Sequence, residues 1–288
     1  PLAASMVSNA YDGDGRRIAL GTYNFSGDIG KFLFPVMAAA AFSRVGWRPV
    51  CMAFGLIGCL LTLALALLFN RTLSRGAEPT AGYQKIPPGA IGWGIVNKGA
   101  FATLSTIAII DTAVRVGVIT FGPFLFIAKG VRPESVGFAL ALLFIGGAVG
   151  KFICGVLAER LGIIVTVVMT ECMTGLGILL LGVLPLPHIF FFLPVLGAAL
   201  NGTSSVLYGT VADFVHPDRV PRSFGIFYTF VIASTAIATP VLGQISDRLG
   251  VDHSVQLIGW AALSTLPLAA LLAWQRSHQT AERTGQNG

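Results

Sequence analysis

Long apolar runs separated by short polar stretches set the pattern of this chain. From the N-terminus the runs cover approximately residues 20–42, 49–69, 99–127, 135–157, 163–184, 189–212, 224–245 and 254–274. Each is close to the ~20 apolar residues that an α-helix needs to cross a hydrocarbon core of ~30 Å. The runs are apolar around their whole circumference, whereas the strands of a membrane barrel alternate apolar and polar positions over about ten residues. The pattern therefore predicts an all-α polytopic membrane helix bundle with eight spans in the lipid bilayer. Residues 1–10 (PLAASMVSNA) have the composition of the tail of an earlier helix, so the chain opens as if in mid-helix and reads as truncated at its N-terminus.

Composition agrees with that reading and removes several others. Hydrophobic residues make up 54% of the chain and charged ones 11%, and the mean hydropathy is +0.77, well outside the range of a soluble domain. The net charge of +6 comes from bases dispersed through loops, without a basic block interleaved with aromatics, so nucleic acid is not an expected partner. Cys51, Cys59, Cys154 and Cys172 fall inside spans with no ligand spacing, which implies neither a metal nor a disulfide. His188, His216, His253 and His278 lie in loops or at span ends with no nucleophile or acid at a catalytic spacing, so an enzyme is not expected. GDIG (27–30) and GGAVG (146–150) follow no strand and lack a phosphate-binding Lys-Ser context, so close helix contact explains them better than a nucleotide loop. No cofactor is expected.

Charge in the loops predicts orientation. With alternating spans, loops 11–18, 70–98, 158–162, 213–223 and the tail 275–288 share one side and hold eleven Lys and Arg residues, while the opposite loops hold five. The positive-inside rule makes the first side cytoplasmic, and with it the C-terminus, in an inner (plasma) membrane. The longest polar stretch, NRTLSRGAEPTAGYQKIPPGAIGWG at 70–94, has the Gly, Pro and scattered charge of a linker between two bundles.

An internal repeat explains why only two full spans precede that linker and six follow. Arg17-x3-Gly21, Pro35 and FSRVG (42–46) align with Arg222-x2-Gly225, Pro240 and SDRLG (246–250) at an offset of roughly 205 residues. The second segment is the fifth of the six spans after the linker. If the first is also a fifth span, about four helices belong before it, and the chain holds about eight of twelve.

Several charges sit inside apolar runs. In IIDTAVRVGVITFGPFLF (109–126), Asp111 and Arg115 are one helical turn apart and share a face. An isolated charge at bilayer depth costs at least about 2.5–3.5 kcal/mol, so that face is expected to point into the bundle or a watery cavity. The pair reads either as a salt bridge that fixes helix packing or as a proton or substrate site, with Asp111 taking the proton and Arg115 tuning it or binding an anion. Asn24, Asp28 and Lys31 form a polar stripe on the 20–42 span. Glu171, in VVMTECMTG, is a further intramembrane acid, and Asn201 and Tyr208 are candidates for a cavity lining or for ordinary helix packing.

Two six-helix halves joined by a cytoplasmic linker resemble the major facilitator superfamily of secondary transporters. Gly155-x3-Glu159-Arg160-x-Gly162 is similar to that family's cytoplasmic gating-loop signature, with Glu159 in place of an Asp. Gly243-x3-Asp247-Arg248-x-Gly250 has the same pattern but falls on the outer side, where it reads as a helix-end turn. GRRIALGTYNFSGDIGKFLFP (15–35), IIDTAVRVGVITFGPFLF and LLFIGGAVGKFICGVLAERLG (142–162) look most like the fosmidomycin-resistance branch of drug efflux proteins.

The resemblance implies that residues 1–69 are the end of an N-terminal half, 70–98 the linker, 99–274 the C-terminal half and 275–288 a cytoplasmic tail. It implies a monomer that exchanges protons for a drug or small organic molecule by alternating access, through Asp111, Arg115, Asp28, Lys31, Asn24, Glu171, Asn201 and Tyr208. The alternative it leaves is a proton-coupled symporter that imports an organic anion or sugar.

Overall fold

Hydropathy and helix-breaking residues account for most of the architecture. The computed structural model describes residues 13–73, 93–216 and 219–285, and these divide into two compact units that meet in sequence at 91/92. Within the described residues nine α-helices carry the fold, and seven segments are long and apolar enough to cross a membrane. Residues 1–10 and the interior of the expected linker, 74–92, lie outside the described residues.

The first unit is a pair of helices, α1 (Gly13–Val45) and α2 (Trp47–Leu73). They are joined by Gly46 alone, at φ 79°, a left-handed conformation that suits glycine. The rings of Phe34 and Phe54 pack at 4.6 Å across the pair. Gly27 and Gly30 face open space within this unit, so the helix contact expected of GDIG is not made there.

The second unit holds α3 (Lys98–Ala128), α4 (Pro133–Leu161), α5 (Ile163–Val183), α6 (Leu186–Thr210), α7 (Val220–Leu249), α8 (Val251–Leu263) and α9 (Thr265–Gly285). Local chemistry sets the ends. The Asn97 side chain accepts from the Ala100 amide at 2.9 Å to cap α3, and Pro133 opens α4 where a missing N–H costs nothing. Gly162 (φ 89°) and Gly250 (φ 91°) each join two helices with almost no loop, so both GxxxxRxG-like segments end in the same turn.

Helix α3 lies at the centre of this unit and packs against α7, α8 and α9. One apolar core gathers Val118, Phe121, Leu143, Ile178, Leu196 and Ile258, and a second gathers Leu104, Ile107, Leu207, Phe214, Phe227 and Leu272. The broadest helix contact is α4 on α6. A Cβ on Gly146 would collide with the Pro194 carbonyl, one on Gly150 with Ala198, and one on Gly197 with Leu143, so the expected close approach at GGAVG is found. Phe191 is fully turned outward, while Phe190 packs on Phe138 at 6.1 Å.

Two polar clasps fix the ends of the unit. Lys129 Nζ donates to the carbonyls of Gly182 and Leu184 at 2.8 and 3.1 Å, tying the α3–α4 turn to the end of α5. Ahead of α3, the His216 amide donates to the Gly94 carbonyl and the Val96 amide to the Phe214 carbonyl, at 2.8 and 2.9 Å. There Ser223 Oγ donates to the Trp93 carbonyl at 2.7 Å, and Arg222 lies over the Trp93 ring.

The span expected at 254–274 is divided. Pro267 has no N–H to offer the Leu263 carbonyl and its ring crowds that carbonyl, so the helix stops at Leu263 and restarts at Thr265. Ser264 Oγ donates to the Ala261 carbonyl and Thr265 Oγ1 to the Ala262 carbonyl, both at 2.6 Å, and the Ser264 amide reaches Trp260 O at 3.0 Å. Hydroxyls thus add donors to carbonyls in the turn just before the break, a polar saturation that suits an apolar surrounding.

Candidate functional site

Asp111, one turn before Arg115 on α3, points into the second unit and is 3% exposed. Arg115 Nη2 stands 3.9 Å from Asp111 Oδ2 and donates to Thr112 Oγ1 at 3.0 Å. The ion pair is therefore long, and the guanidinium is shared between a carboxylate and a hydroxyl. The spacing that suggested an i,i+4 pair is realised, with Thr112 as an additional acceptor.

Helix α5 brings Glu171 to the same place. Its carboxyl interacts with Asp111 and Arg115 on α3 and with Thr265 at the start of α9. Glu171 is 1% exposed, and neither carboxyl oxygen has a hydrogen-bond partner. The Thr265 hydroxyl faces it but is committed to the Ala262 carbonyl. Thr174, one turn further along the same face of α5, is also buried, with an unpartnered hydroxyl. Close contact of α5 with α8 at Gly175 and Gly259 holds this wall: a Cβ on Gly175 would press on Leu263, and one on Gly259 on Leu179.

On the other side of Arg115 stands Tyr208, from α6, which interacts with the guanidinium. Its ring meets Tyr228 at 5.2 Å and Phe227, edge to face, at 5.7 Å. Phe224 adds a fourth ring 6.1 Å from Tyr228. A polar string thus runs from the sealed Glu171 and Asp111, through the partly exposed Arg115, to two half-buried tyrosines. Thr112, Thr174, Tyr228 and Thr265 belong to it although the sequence did not single them out. Pro267 just after Ser264 and Thr265 was the one available signal, since it marks a break inside a span.

The remaining candidates are placed elsewhere. Asn201 donates to the Gly197 carbonyl of its own helix at 3.3 Å and packs where a Cβ on Gly147 would fall, in the α4–α6 crossing. Gly155, Glu159 and Arg160 are exposed at the end of α4, and Gly162 is the junction itself. Lys31 is exposed on α1, and the side chains of Asn24 and Asp28 lie outside the described residues. Among the described residues no group of three or more His, Cys, Asp or Glu could hold a metal ion.

Membrane-length helices around a buried acid–base cluster define a polytopic integral membrane protein. Residues 104–288 match the Major Facilitator Superfamily, and the chain belongs to that superfamily of secondary transporters. No curated protein matches the chain.

Proposed function

We propose that this transporter exports a drug or other small organic molecule in exchange for protons, by alternating access. Glu171 carries the reading: a carboxyl sealed from water, facing a second acid and the Thr265 hydroxyl, with no donor in bonding geometry at either oxygen. With both acids and Arg115 ionised, the cluster would hold one unbalanced negative charge in an apolar wall. A proton on Glu171 removes it. A substrate that brings positive charge or donors to the same carboxyls displaces that proton, which is the reciprocal linkage an antiporter needs.

In this account residues 1–69 close an N-terminal half, 70–98 link the halves, 99–274 form the C-terminal half and 275–288 are a tail. Asn24, Asp28 and Lys31 supply the polar stripe of the first half. Tyr208 lines the path in the second, with Asn201 in the helix crossing behind it, and Gly155, Glu159, Arg160 and Gly162 form the cytoplasmic gating turn. The protein works as a monomer in an inner (plasma) membrane with its C-terminus in the cytoplasm, as the eleven bases against five favour. Protease added to everted vesicles should remove the tail, and a protected tail would reverse the orientation.

Arg115 favours a second reading. Its side chain is 17% exposed against 4% for Asp111, so it is the member of the pair that a solute can reach. An organic anion held by Arg115 would strip Asp111 of its counter-charge and so bind together with a proton, which is symport.

Everted membrane vesicles with an acidic lumen separate the two. For antiport, adding a fosmidomycin-type phosphonate or a lipophilic cation releases lumenal protons, and Glu171→Gln abolishes the release. Proton movement of the opposite sign supports symport, and release that persists in Glu171→Gln removes Glu171 as the carrier.

A further inference from the structure

The break between α8 and α9 brings a hydroxyl to an acid with no donor in bonding geometry at either oxygen. Glu171 must be solvated by something whenever its proton leaves, because an ionised carboxylate with bare oxygens in an apolar wall is the costliest state this cluster can adopt. The carboxyl interacts with Asp111 and Arg115 from α3 and with Thr265 from α9. Asp111 is itself an acid and cannot donate once ionised. Arg115 is engaged by Thr112 and Asp111. Thr265 is fully buried, and its hydroxyl donates to the Ala262 carbonyl at 2.6 Å.

We propose that Thr265 is a positioning residue for proton transfer, its hydroxyl turning from the Ala262 carbonyl to the Glu171 carboxylate when Glu171 loses its proton. This rests on the reading of Glu171 as the proton carrier. A hydroxyl has one hydrogen to give, so the two bonds exclude each other. In the protonated state the neutral carboxyl needs no donor and Thr265 serves the backbone. In the ionised state the charge-assisted bond is the stronger one and draws the hydroxyl away.

The break is what makes the exchange possible. Pro267 interrupts the ladder ahead of it, so the Ala262 carbonyl lies in a helix end rather than in a continuous helix. The Ser264 amide, bonded to the Trp260 carbonyl at 3.0 Å, also points toward the Ala262 carbonyl, so the oxygen that Thr265 leaves has a donor beside it. A buried carbonyl that kept none would make the move far more costly. The close approach of α5 to α8 at Gly175 and Gly259 keeps the wall that carries Glu171 against the break while the side chain turns.

Infrared difference spectra of the full chain in lipid, recorded between acidic and alkaline buffer, test both levels. The protonated-carboxyl band that Glu171→Gln removes belongs to Glu171. In Thr265→Val, which keeps the shape and loses the donor, that band should persist into buffer more alkaline by about one pH unit, a tenfold change. Thr265→Ser should restore the wild-type titration. Thr265→Ala serves if the valine variant does not fold. Unchanged titration in the donorless variants, or no rescue by serine, overturns the role of Thr265 and leaves Glu171 as carrier. If Glu171→Gln removes no titrating band, the carrier reading fails first and the role of Thr265 falls with it.

Discussion

Removing Arg115 would strand Asp111, and that asymmetry separates a working ion pair from two separate charges. A buried carboxylate left without its partner costs about 3–5 kcal/mol, whereas replacing both members by neutral groups is close to neutral. Arg115→Met should therefore lower the thermal stability of the protein in detergent more than Asp111→Asn/Arg115→Met does. Equal losses in the single and double variants would mean that the 3.9 Å pair contributes little. The spacing of Asp111 and Arg115 was legible in the sequence because it lies within one helix. That Glu171 faces them was not, because it depends on how α5 lies against α3. Asn201 shows the converse: an amide among small residues suits a cavity or a helix crossing equally well, and the packing places it in the crossing.

Among helices, close approach is decided by individual glycines. Gly150 meets the Ala198 backbone where its Cβ would be, while Gly155, five residues along the same helix, meets nothing. Gly150→Ala should destabilise the second unit by about 1–3 kcal/mol, the usual cost of overpacking. Gly155→Ala should be neutral or mildly stabilising, since alanine is the better helix former. Thermal unfolding of the two variants side by side checks this, and equal midpoints would contradict the α4–α6 crossing. Apolar run length made seven helices readable in advance. It could not show that GDIG faces open space in its own unit, nor that the last span is two helices, because hydropathy continues smoothly through Ser264 and Thr265 while the backbone ladder does not.

At the scale of the whole molecule, the superfamily match fixes a secondary transporter, and the proposal of proton antiport adds a direction and a coupling that it draws from the acid cluster. A carrier that has lost its proton site but kept its substrate path should still exchange substrate for substrate across the membrane, because that exchange needs no net proton movement. The most direct measurement uses the full chain in liposomes, comparing uphill substrate movement driven by a proton gradient with counterflow at equal pH, for wild type and Glu171→Gln. In Glu171→Gln uphill movement should fall by at least about tenfold, while counterflow persists, weakened by the lost substrate contact but no longer dependent on the buffer pH. Uphill movement at the wild-type rate in Glu171→Gln would contradict this account.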